Sequence, residues 1–174
     1  MVKNLKQKIT KENILYNNIL LLSRNRLFYT KFHLDDTFQN RIHLIFMHIS
    51  FLFIKIKQDK QSQLYKVFHQ KMFDFIFKQI ELNMREIGFG DTLINKNMKF
   101  LVKTFYTILL YCEKYKKKNS KSKNLFFLKY LERDSIKKHS INGFLIEYFN
   151  KYDAFCFDLN PDSVLRGDLN FNYK

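Results

Sequence analysis

Four glycines and one proline are all the residues of those two types in this 174-residue chain, and the first eighty-seven positions contain none of them. An all-β chain spends such residues at every turn, whereas a helix is weakened by each one. The scarcity therefore predicts an all-α chain. Its length suits a single compact domain spanning 1–174, built from about six helices. Apolar residues make up 46% of the sequence, and 20 residues are phenylalanine, enough to fill a core without a disulfide or a metal.

Hydrophobic periodicity places the helices. Ile14, Leu15, Ile19 and Leu22 recur at helical spacing over residues 11–24. A second helix starts where Asp36 or Thr37 offers a capping oxygen and runs to about Lys57. It is apolar almost all round, which marks it as the central buried helix. Residues 58–62 form a polar break, and a third helix covers residues 63–87. Gly88 stops it, Gly90 keeps the turn tight, and Asp91 or Thr92 caps a fourth helix over residues 93–117. Two shorter helices follow, near residues 125–132 and 141–155, and the end around Asn160, Pro161 and Asp162 is turn-rich.

Few residues carry a recognisable chemistry. Cys112 and Cys156 stand alone, without zinc spacing, and read as small core hydrophobes of a reducing compartment. His43 and His48 lie five apart and diverge by about 140° on a helix, so they make no two-histidine metal face; His48 reads as a hydrogen-bonded histidine at the core edge. Gly88-Phe89-Gly90 lacks the third glycine, the lysine and the preceding strand of a phosphate loop. No nucleophile elbow occurs. Asp35 and Asp36 read as loop and cap residues, and Glu81 and Glu86 as surface ion-pair partners. The longest apolar run, residues 42–56, carries His43, His48 and Lys55 and is shorter than the roughly 20 residues of a membrane span. The N-terminal lysines precede no signal-like apolar region, so the expectation is an unprocessed cytoplasmic chain with a short amphipathic start.

Charge is the remaining signal. The net charge is +15, and lysine supplies 25 of the 31 cations. Such a balance favours an anionic partner, RNA, DNA or acidic lipid. Arginine, whose planar fork reads bases, is scarce, which points to backbone or surface electrostatics. Residues 1–31 hold seven cations and one acid, and residues 114–123 hold six lysines and no acid. Residues 147–168 oppose them with five acids and two cations. The basic loop 116–123 is read either as a solvated connection or, through Lys114, Lys116, Lys117, Lys118, Lys121 and Lys123, as a contact to phosphate. Tyr111, Tyr115, Phe126 and Phe127 flank it, with spacing that fits base stacking or a helix core.

Two segments carry a known pattern. The first is residues 36–48, Asp-Thr-Phe-Gln-Asn-Arg-Ile-His-Leu-Ile-Phe-Met-His. The second is residues 84–91, Met-Arg-Glu-Ile-Gly-Phe-Gly-Asp, followed by Lys96, Met98, Lys99, Phe105 and Tyr106. With Leu15-Tyr16 and residues 23–29 before them, they resemble the ubiquinol–cytochrome c chaperone family over residues 11–115. Residues 124–174 match only through Gly167 and Phe171. The resemblance implies a helical assembly factor for the ubiquinol–cytochrome c reductase complex, without catalytic residues, metal or cofactor. It implies nascent or unassembled cytochrome b as partner and no small-molecule substrate. The ribosome (its rRNA) or an anionic inner-membrane surface would meet the basic zones. Mitochondrial members carry an N-terminal import extension; with none seen here, the expectation is a bacterial cytoplasmic protein, peripheral on the inner membrane, or its counterpart on the mitochondrial matrix side if the source is eukaryotic. Asp36, Arg41, Arg85, Glu86, Gly88, Gly90 and Asp91 would form a structural corner, with Arg41 and Arg85 pairing with Asp36 and Glu86, or a partner contact. The alternatives are a basic RNA- or anionic-membrane-surface binding protein unrelated to respiration, and an enzyme whose site assembles only in space.

Overall fold

A computed structural model describes residues 10–58, 62–132 and 142–173. The amphipathic start expected before residue 10 and most of the polar break at 58–62 lie outside the described residues. Among those described, the chain is all helical, with no β-strand. The six long helices expected from the sequence are α1 (Lys11–Ser23), α3 (Phe38–Gln58), α4 (Ser62–Glu86), α5 (Asp91–Glu113), α6 (Ser120–Tyr130) and α7 (Asn142–Asp158). Two short ones, α2 (Leu27–Thr30) and α8 (Pro161–Arg166), join them.

The caps follow from short polar side chains at the starts. The hydroxyl of Thr10 accepts from the Asn13 N–H at 3.2 Å, and that of Thr37 from the Asn40 N–H at 3.1 Å. Asn119 and Asn160 do the same for α6 and α8, accepting from the Ser122 and Asp162 amides at 2.8 and 2.9 Å. Pro161 occupies the first turn of α8, where it forfeits no helical hydrogen bond.

α3 is the axis of the molecule. Asn40 and every residue from Ile42 through Phe53 are buried, as the all-round apolarity of this stretch requires. α1, α4, α5 and α7 pack around it. Rings cement the contacts: Phe46 of α3 stacks on Phe77 of α4 at 5.5 Å and meets Phe105 of α5 edge-on at 5.3 Å. On the opposite side Tyr148, Phe149 and Tyr152 of α7 surround the ring of His48.

Most polar side-chain atoms inside are matched, the Tyr115 hydroxyl and the Asn124 Oδ1 being buried without a hydrogen-bond partner. His48 is wholly buried, one ring nitrogen on the Leu44 carbonyl at 2.6 Å and the other on the Tyr148 hydroxyl at 2.8 Å. Burial pushes its pKa down to about 4. Cys112 and Cys156 are buried free thiols, pushed up by desolvation, as inert core residues should be. Among the described residues no helix is long and apolar enough to cross a membrane.

Candidate functional site

The segments 36–48 and 84–91, far apart in the chain, meet in space at the start of α3 and the corner between α4 and α5. α4 ends at Glu86. Gly88 then takes φ +90°, the left-handed conformation that reverses the chain, and the Phe89 N–H donates to the Met84 carbonyl at 3.0 Å. Gly90, not Asp91, is the residue that caps α5, and it does so without a side-chain bond. Asp91 instead enters the first turn, where a negative charge faces the positive helix end. The Nη1 of Arg85 reaches Asp91 at 2.6 Å, while its Nε and Nη2 donate to Glu81 at 3.1 and 2.8 Å. Arg85 thus joins the last turn of α4 to the first of α5, and its partners are Glu81 and Asp91 where Glu86 was expected.

Arg41 grips Asp36 with two bonds, at 2.7 and 2.8 Å, and that bond holds the Asp36 carboxyl below its usual range. Glu86, Arg41 and Arg24 line a cavity of about 200 Å³ between α1, α3 and α4. These pairs are exposed, so they set geometry more than stability.

Beside the corner lies a groove of about 290 Å³. Phe38 of α3, Met84 and Phe89 of the corner, and Phe100 and Leu101 of α5 line it, with Thr37, Gln39 and Asn97 as its polar residues. None of these is charged. Phe100 is 58% exposed, and Ile87 and Leu93 are exposed at the same corner. Phe100 lies off the buried stripe of α5. An apolar residue out of register with the core face was the available sequence signal, and the stripe of Met98, Leu101, Val102 and Phe105 drew attention away from it.

The lysine run is more ordered than a loop. α5 stops at Glu113, a 3₁₀ turn covers Tyr115–Lys117, and α6 already begins at Ser120. Lys114, Lys116, Lys117 and Lys121 are exposed. Lys116 lies 4.0 Å over the Phe157 ring and Lys118 5.6 Å over Tyr111. Lys123 is a correction: it is buried, bonded to Asn150 at 2.7 Å and 4.1 Å over Tyr115, so it fastens α6 to α7 rather than facing an anion. The flanking rings also have partners inside the protein. Tyr111 and Phe126 stack on each other at 3.9 Å, and Tyr115 and Phe127 are buried. Between α5 and α6, Tyr111 and Phe126 floor a second groove, of about 460 Å³, edged by Leu110, Leu125, Lys114, Lys118 and Lys129.

Comparison with known proteins gives two findings. A family model described as ubiquinol–cytochrome C chaperone matches residues 30–125, a span that includes both motif segments and all of α5. The Cbp3 homolog from Brucella abortus, a crystal structure, is similar with a TM-score of 0.78 at 20% identity, over 94% of this chain and 89% of that one. At that identity the likeness is one of fold. No curated protein matches the sequence.

Proposed function

We propose, from the premise that this chain belongs to the ubiquinol–cytochrome c chaperone family, that it assists assembly of the ubiquinol–cytochrome c reductase complex by sheltering newly made cytochrome b. The observation that carries the reading is the uncharged groove at the α4–α5 corner, with Phe100 standing half in solvent beside it. A membrane helix is a run of apolar side chains without charge. In water it needs a surface that is apolar and makes no demand for a counter-ion, and Phe38, Phe89 and Phe100, over the buried Leu101, offer one. Each large apolar side chain covered on binding contributes about 2 kcal/mol. A few such anchors against the cost of association give a reversible hold, which suits a factor that must release its client. Holding requires no bond to be made or broken, so the role is non-catalytic.

Arg85 and the Arg41–Asp36 pair support the groove by fixing its walls. The acid-free lysine zone supports a second element of the reading, attachment near an anionic surface such as a ribosome or the inner membrane.

Deleting the gene in its host, then measuring assembled ubiquinol–cytochrome c reductase and cytochrome b, tests the function. Selective loss of both, restored by the wild-type gene and not by Phe100→Asp, is the expected result. A photo-crosslinker at position 100 should capture cytochrome b, and one at position 66, roughly 27 Å along α4 by helical rise from the groove-lining Met84, should not. Normal levels of both in the deletion strain would end the proposal.

A further inference from the structure

Residues 92–131 hold ten lysines, no arginine and one acid, Glu113, which Lys57 neutralises at 2.6 Å. On this face the second groove opens. Leu110 and Leu125 stand at its edge, 62% and 58% exposed. Lys114, Lys118 and Lys129 surround them and have no ion-pair partner among the described residues. Large apolar side chains inside a ring of cations with no carboxylate partner among the described residues ask for a partner that is anionic at one depth and apolar a few ångströms deeper.

We infer that the α5–α6 face docks on an anionic phospholipid bilayer. Leu110 and Leu125 enter the boundary of the acyl chains, and Lys114, Lys118 and Lys129 lie at the level of the phosphates. Lysine suits this place, because its long apolar stem follows the leucines down while the ammonium stays with the headgroups. RNA fits the same face poorly. It offers nothing to cover the leucines. The aromatic faces that would stack on bases are spent, Tyr111 on Phe126 at 3.9 Å and 6° between planes. No arginine is among the residues that line this groove to grip phosphate in two-point fashion. The inference deepens the surface-attachment element of the proposed function and is independent of the client groove, which lies at the other end of α5.

Sedimentation with vesicles tests it: phosphatidylcholine alone, or mixed with phosphatidylglycerol, with an RNA homopolymer as the rival ligand. The full chain should bind the anionic vesicles and leave the neutral ones. Leu110→Ser with Leu125→Ser should weaken that binding about a hundredfold or more, and Lys114→Gln with Lys118→Gln and Lys129→Gln should weaken it similarly. A second measurement covers the case of a variant that folds poorly. Both native thiols are buried, so an environment-sensitive dye placed through Leu110→Cys labels one site. Its emission should shift to the blue on anionic vesicles, and a dye at position 66 should not respond. Failure to bind anionic vesicles, equal binding to neutral ones, leucine variants that bind like the wild type, or an unshifted dye at position 110 would each overturn the inference. Tighter binding to RNA, indifferent to the leucine changes, would replace the bilayer with a nucleic acid. Vesicle binding that fails while cytochrome b still depends on the gene would remove this inference alone.

Discussion

Asn40 is an amide with every useful atom engaged. Wholly buried at the start of α3, it donates to the carbonyls of Asp35 and Glu132 at 2.7 and 2.9 Å and accepts from the Glu132 N–H at 2.8 Å. It thereby locks the connection before α3 to the chain leaving α6. Asn40→Ala strands these backbone groups away from water and should cost about 3 kcal/mol, read as a lower urea midpoint with an unchanged slope. His48 sets a pH dependence. Its folded pKa of about 4 lies below the value of about 6.5 for an unfolded histidine, so the unfolded chain takes up the proton first. Stability is therefore full above about pH 6.5 and falls as the pH drops toward 4, by on the order of 3 kcal/mol. Burial pushes His43 and His69 in the same direction. Urea titrations at several pH values check this, and a flat profile across that window would contradict it.

The corner between α4 and α5 separates two glycines that look alike in the sequence. Gly88 has φ +90° and open space around it, so Gly88→Ala pays only for backbone strain, about 1–2 kcal/mol. Gly90 sits in an ordinary extended conformation with nothing within reach of a Cβ, and Gly90→Ala should shift stability by less than about 1 kcal/mol. Thermal unfolding of the two variants, side by side, decides the point. The same corner shows what a sequence can reveal. Gly88 as a helix stop and the six long helices were legible, because helix breakers and 3.6-residue periodicity act locally. The partner of Arg85 was not: Glu81, Glu86 and Asp91 are all within reach in sequence, and only the turn geometry selects two of them. The early start of α6 was hidden because lysine, serine and asparagine read as loop. Asn119 caps that helix, and Phe126 and Phe127 anchor it from the next turns. Lys123 was misplaced for a related reason, since composition cannot show that one lysine in a run of six has turned inward onto Tyr115 and Asn150.

Across the whole molecule, the two proposed surfaces lie at the two ends of α5. The neutral groove lies at its start and the lysine-ringed groove at its end, with α3 packed along it. The two should be separable. Phe100→Asp should abolish crosslinking to cytochrome b and leave vesicle binding intact, while Leu110→Ser with Leu125→Ser should do the reverse. A single variant that lost both with its fold intact would contradict the division. What the sequence could not convey at this scale was which apolar residues stay outside, because exposure of Phe100, Leu110 and Leu125 depends on where α3 and α6 lie. One contact bears on how the molecule comes into being. The Asn18 side chain donates to the Gly167 carbonyl at 2.8 Å across 149 residues of chain, and a Cβ on Gly167 would fall within 2.9 Å of Ile14. During synthesis α1 leaves the ribosome roughly 7 to 30 seconds before the segment it closes upon has been made. For that interval its inward face waits unpaired, so this chaperone-family chain passes through an exposed infancy of its own before its fold can close.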